Sequence, residues 1–163
     1  MFSIIELLKD HEVRQFNAGE SMITQGGKTG LLFFLIEGTV EVLKNDTRVA
    51  SVSQPGAVFG ELSALLGVNH TATVRAVKPC RFYVVQNPKA FLSESPGACL
   101  YVCEMLAQRL NALTKYVVDV KGQFADHDHI GMVGDVLETL LRRETRARVR
   151  PSDSTIHHGQ APD

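Results

Sequence analysis

The stretch Pro55-Gly56-Ala57-Val58-Phe59-Gly60-Glu61-Leu62-Ser63-Ala64-Leu65-Leu66-Gly67-Val68-Asn69-His70-Thr71-Ala72-Thr73-Val74-Arg75-Ala76 decides how this chain is read. A glycine turn leads into a single helical turn expected from Glu61, and a loop at Gly67 to Asn69 returns the chain to an alternating strand. Backbone N–H groups at the start of a helix have no intrahelical partner and carry positive partial charge, so they suit an anion. Gly60 lets an anion approach the backbone with no Cβ in the way. Glu61 has no basic neighbour in sequence, and a carboxylate there can accept a hydrogen bond from a sugar hydroxyl. Thr71 offers a hydroxyl across the same pocket.

Working outward, the chain from Glu12 to Gln86 reads as short strands punctuated by glycine. Strands are expected at Glu12 to Phe16, Ser21 to Thr24, Leu31 to Glu37, Thr39 to Lys44, Arg48 to Val52, Thr71 to Val77 and Arg81 to Gln86. The breaks carry turn chemistry at Asn17-Ala18-Gly19, Gly26-Gly27, Gly38, Asn45-Asp46, Pro55-Gly56 and Lys78-Pro79. Many short strands with regular turns argue for a sandwich or barrel.

Phe59-Gly60-Glu61-Leu62 followed by Ala72-Thr73-Val74-Arg75-Ala76 resembles the phosphate-binding cassette of the cyclic-nucleotide-binding domain family. That family includes bacterial catabolite-activator proteins and the regulatory regions of cyclic-nucleotide-dependent kinases and channels. The run from Ala18-Gly19-Glu20 through Gly30, Phe33 to Gly38, Val40 and Val42 is similar to its early strands, and the likeness covers about Glu12 to Ser93. It implies a mainly β fold: an eight-stranded antiparallel β-roll of the jelly-roll, double-stranded β-helix kind. An N-terminal helix and a long C-terminal lid or dimerisation helix would flank it. The ligand-binding set implied is Phe59, Gly60, Glu61, Leu62, Ser63, His70, Thr71 and Ala72. Gly60 and Ser63 would offer backbone N–H groups to a cyclic phosphate, Glu61 would hold the ribose 2′-hydroxyl, and Leu62 would help through its backbone. Thr71 would sit beside the phosphate, as in cGMP-preferring kinases, so cGMP is expected to be accepted alongside cAMP. Leu110 and Leu113 are the lid contacts implied over the base. On the residues alone, Glu61 also reads as a charge complementing the helix dipole, and Thr71 as an ordinary strand former.

One position departs from the family. An arginine that pairs with the cyclic phosphate is expected immediately before Thr71, and this chain has His70 there. A fixed fork of donors gives way to an imidazole with an ordinary pKa of ~6.5, mostly neutral at pH 7. Losing a charge-assisted hydrogen bond worth roughly 1.5–3 kcal/mol weakens binding by about one to two decades. His70 reads first as a phosphate donor, with a vestige or a surface loop residue as the alternatives. As a donor it should bind better below its pKa. Arg75 shares a strand face with Thr71 but lies about 13 Å along it, too far to substitute.

After Pro88 the pattern changes. Lys89 to Ser93 reads as one helical turn. Apolar residues then fall at Cys99, Cys103, Leu106, Leu110, Leu113, Val117, Val120 and Phe124, an a/d heptad stripe. A homodimer through this Cys99–Phe124 seam is expected; the other reading is a helix lying on its own barrel. A second amphipathic helix is expected at Ile130 to Leu141, as the place where a protein partner docks, followed by an Arg-rich and then polar disordered tail. The organisation expected is 1–98 β-roll with N-terminal helix, 99–143 lid and dimerisation helices, and 144–163 tail.

Composition sets the outer limits. The 163 residues are 44% hydrophobic and 21% charged with a net charge of -1, so no global field draws the protein to nucleic acid or membrane. A recognition module after the helices would need more chain than Arg142 to Asp163, so no direct DNA binding is expected, and no apolar run reaches bilayer length. Met1 to Asp10 reads as a short amphipathic helix and not a secretion signal. Cys80, Cys99 and Cys103 form no CxxC pair, fit a reducing cytoplasm and are expected as small buried residues. Asp126-His127-Asp128-His129 lacks a third spaced ligand, so no metal is expected. No nucleophile elbow, P-loop or dinucleotide fingerprint is present, so neither an enzyme nor a bound cofactor is expected. The expectation is a stand-alone cytoplasmic sensor that signals through its C-terminal helices. The alternative is a degenerate fold that serves as a ligand-independent interaction scaffold.

Overall fold

The computed structural model describes residues 3–123. The chain divides into two compact units, Met1–Ala112 and Leu113–Asp163. Helix α1 (Ile4–Leu8) precedes strands β1 (Glu12–Phe16), β2 (Ser21–Ile23), β3 (Leu32–Glu37), β4 (Val40–Lys44), β5 (Thr47–Val52) and β6 (Val58–Phe59). Helix α2 (Glu61–Leu66), strands β7 (Thr73–Ala76) and β8 (Cys80–Val85), helix α3 (Pro88–Glu94) and helix α4 (Pro96–Gln123) follow. The strands form two four-stranded antiparallel sheets, ordered β1-β8-β3-β6 and β2-β7-β4-β5.

The apolar run of β3 is continuous because both of its faces are covered. Phe33 and Leu35 point into the core between the sheets, while Leu32 and Phe34 join a second cluster under the helices. β8 divides in the same period of two, with Phe82 and Val84 inside and Val85 on the helical side. Phe16, Phe33 and Phe59 meet Phe82 edge to face, with ring centroids 5.8, 6.2 and 6.1 Å away. The second cluster takes Ile4 and Leu8 of α1, Leu92 of α3, and Ala98 and Val102 of α4.

Local chemistry sets the boundaries. Asn45 and Asp46 take positive φ values of 48° and 61°, the two-residue hairpin that joins β4 to β5 with Lys44 opposite Thr47. The Asn87 side chain accepts from the Ala90 N–H at the start of α3, and Ser95 Oγ accepts from the Ala98 N–H at the start of α4, each 3.3 Å. Pro88 and Pro96 occupy the first helical positions.

Several expectations need correction. β6 was not foreseen; two residues are too few to show alternation, and pairing with β3 (Phe33 with Phe59, Phe34 with Val58) creates the strand. β7 begins at Thr73, so Thr71 and Ala72 stand in the preceding loop. Of the cysteines only Cys80 is buried; Cys99 is half-buried and Cys103 exposed, because Ala98 and Val102 take the inward face of α4. Cys99 and Leu106 pack on the protein's own second core, so these members of the heptad stripe serve the β-roll. Phe124, the His127 and His129 segment, the Ile130 to Leu141 stretch and the Arg-rich tail lie outside the described residues. Among the described residues no helix is long and apolar enough to cross a membrane, and no group of three or more His, Cys, Asp or Glu side chains could hold a metal.

Candidate functional site

The site grows from the junction of β6 and α2. Gly60 sits there with φ of 88°, and a Cβ on it would stand 2.6 Å from the Leu31 carbonyl oxygen. The left-handed backbone and the close neighbour together require glycine. Helix α2 ends at Gly67, also left-handed, whose N–H returns to the Ser63 carbonyl at 2.9 Å. Within the helix Ala64 N–H reaches the Gly60 carbonyl, so the N–H groups of Glu61, Leu62 and Ser63 precede its first closed turn. Ser63 Oγ donates to the Val68 carbonyl at 2.6 Å and holds the exit loop against the helix.

That loop is fastened to the β2–β3 connection. His70 N–H bonds the Gly27 carbonyl and Gly26 N–H bonds the His70 carbonyl, each at 2.8 Å. Lys28 Nζ donates to the Gly67 carbonyl at 2.9 Å. His70 is 5% exposed. Its Nε2 receives the Thr29 N–H at 3.1 Å and lies 2.9 Å from Thr29 Oγ1. Burial pushes the His70 imidazole below its usual pKa.

Between α2, this loop and the second sheet lies a cavity of about 400 Å³. Ile23, Val42, Ala50, Val52, Phe59 and Val74 make its apolar wall. Gly60, Glu61, Leu62, Ser63, His70, Thr71, Ala72 and Arg109 complete the lining. An apolar hollow of this volume edged by a few polar groups is the usual form of a small-molecule site. The eight residues expected from the cassette all border it. Leu110 does not line it and is 46% exposed. Leu113 belongs to the second unit and is 48% exposed.

Glu61 is 7% exposed and has a basic partner that lies far from it in sequence. Arg109 Nη1 donates to Glu61 Oε1, and Arg109 Nη2 donates to the Val58 carbonyl at 2.6 Å. A nearly buried carboxylate needs such a partner, since an unpaired charge there is costly. Arg109 was missed because it is 48 residues from Glu61. Its signal is a cation on the inward face of α4, in step with Ala98, Val102 and Met105. Arg75 is spoken for elsewhere: its Nε donates to Glu41 Oε1 at 2.8 Å.

The architecture defines a class, a β-roll with a small-ligand hollow headed by a glycine-started helix. Residues 13–92 match the cyclic nucleotide-binding domain family and belong to it, a family that is regulatory and not catalytic. A cAMP-dependent protein kinase regulatory subunit from Yarrowia lipolytica is 35% identical over 74 residues, which cover 45% of this chain and 20% of the relative. The chain thus matches only a fifth of that protein's length. Catabolite activator protein from Thermus thermophilus superposes with a TM-score of 0.63 at 20% identity, over 72% of this chain and 58% of that one. A transcriptional regulator from Thermotoga maritima gives a TM-score of 0.63 at 12% identity, over 74% and 99%. These two likenesses define the fold alone.

Proposed function

We propose that this protein is a cyclic-nucleotide sensor that takes cAMP or cGMP into the cavity beneath α2 and signals through its C-terminal helices to a partner in the cytoplasm. The observation that carries the reading is Glu61, a nearly buried carboxylate that lines an apolar hollow beside the free amides of a glycine-started helical turn. An anion suits those amides, a ribose hydroxyl suits Glu61, and a flat base suits the apolar wall. The kinase regulatory subunit that resembles this chain is named for dependence on cAMP, which supports the same ligand class. Thr71 on the lining supports acceptance of cGMP as well.

Arg109 links the site to α4, because the carboxylate that would hold the ribose already ties that helix to β6 and α2. A ligand that bonds Glu61 competes with or reorients Arg109, and α4 responds to the extent that its two positions bind the ligand differently. Leu110 would then form the lid. In a homodimer the seam would use Cys103 and the stripe from Leu110, since Cys99 and Leu106 are engaged with the β-roll.

Calorimetry with cAMP and with cGMP tests the reading. Binding by the full chain, lost in Glu61→Ala and tightened about ten- to a hundredfold in His70→Arg, is the expected result. No binding to either protein would overturn it. The Glu61–Arg109 pair favours one rival, a scaffold whose ribose carboxylate is permanently engaged. A scaffold would still recruit its partner when neither cyclic nucleotide binds.

A further inference from the structure

The β2–β3 connection reaches the His70 ring through Thr29, a residue that the cassette itself does not include. Thr29 presents two groups to His70 Nε2: its backbone N–H at 3.1 Å and its hydroxyl oxygen at 2.9 Å. Thr29 Oγ1 also accepts the Leu31 N–H at 3.3 Å, which leaves the hydroxyl proton free to point at the imidazole. A backbone N–H cannot accept, so Nε2 must be the lone-pair nitrogen. A proton on Nε2 would set donor against donor in a residue that is 5% exposed.

We infer that Thr29 is a positioning residue which fixes His70 as the neutral Nδ1–H tautomer, so that the ligand's anion meets a single uncharged donor. This rests on the cavity being a cyclic-nucleotide site. Nδ1 is the ring's remaining polar atom. His70 lines the cavity, and Nδ1 is the donor left to it for a ligand there. A proton on both ring nitrogens is disfavoured by the same pair of Thr29 donors and by burial. The charged groups of the elements around the ring are otherwise engaged: Lys28 with the Gly67 carbonyl, Glu61 of α2 with Arg109 of α4, and Arg75 of β7 with Glu41. His70 is therefore no cationic substitute for an arginine. Affinity stays nearly level between pH 8 and 6, whereas a proton taken up with the ligand would raise it by up to about tenfold per pH unit.

Nitrogen-15 correlation spectra of the imidazoles in the full chain test the tautomer with no ligand present. A protonated Nδ1 and bare Nε2 on His70 at pH 7 is the expected result, and it should persist in Thr29→Val, which keeps the backbone N–H. A protonated Nε2 in the wild type overturns the inference whatever binds. Calorimetry with cAMP and cGMP supplies the second arm. Thr29→Val should weaken binding about fivefold, the loss of one neutral hydrogen bond, and should change little in a His70→Arg background. Equal losses in both backgrounds would make Thr29 merely structural and overturn its positioning role. The expected tautomer with no nucleotide bound by the wild type or by His70→Arg would instead overturn the cyclic-nucleotide reading.

Discussion

Gly60 carries two demands at once, a left-handed φ of 88° and 2.6 Å between any added Cβ and the Leu31 carbonyl. Gly60→Ala should therefore destabilise the protein by about 1–3 kcal/mol and lose nucleotide binding, read from urea midpoints and calorimetry. His70 makes a second, signed prediction. Its folded-state pKa lies below the ordinary ~6.5, so below that pH the unfolded chain takes up a proton that the folded chain refuses. Stability supplied by the neutral ring is fully present above about pH 7.5. It falls as pH drops through 6.5, until the folded-state pKa is reached. Urea midpoints at pH 7.5 and 5.5 should differ more in the wild type than in His70→Asn, which cannot titrate; equal differences would refute this. The identity of Gly60, Glu61 and His70 was legible in the sequence because the cassette is a contiguous motif. The environment of Glu61 and His70 was not, since Arg109 and Thr29 reach them from 48 and 41 residues away.

At the scale of elements, α4 is held to the β-roll by packing and by two polar ties. Tyr101 donates to the Gly56 carbonyl at 2.9 Å, and Arg109 bonds Glu61 and the Val58 carbonyl. Tyr101→Phe keeps the ring and removes the hydrogen bond, so it should cost about 1 kcal/mol in a urea melt. The same change should leave calorimetric affinity for cAMP within about twofold, because Tyr101 does not border the proposed cavity. The exposed apolar residues further along α4, Leu113 and Tyr116, are 48% and 66% accessible. Leu113→Asp should turn a dimer into a monomer in sedimentation velocity; an unchanged sedimentation coefficient would refute the seam. The helix and most strands were legible from periodicity. β6 was not, because a two-residue strand has no period and owes its existence to β3.

For the whole molecule, ligand linkage supplies the test. A nucleotide that binds only the folded state at a hundred times its dissociation constant adds about 2.7 kcal/mol, seen as a rise of several degrees in melting temperature. The rise should disappear in Glu61→Ala and persist in Tyr101→Phe. By itself the sequence determined the β-roll, its glycine turns and the cassette, because each is written in neighbouring residues whose backbone preferences and alternation act locally. Only the tertiary structure decided that Glu61 faces Arg109, that His70 faces Thr29, and that Cys99 and Leu106 of the heptad stripe serve the protein's own core. Those pairings depend on the closure of two sheets and the seating of α4, which bring together side chains far apart along the chain. No local pattern of charge or spacing records which distant partner a buried group will meet.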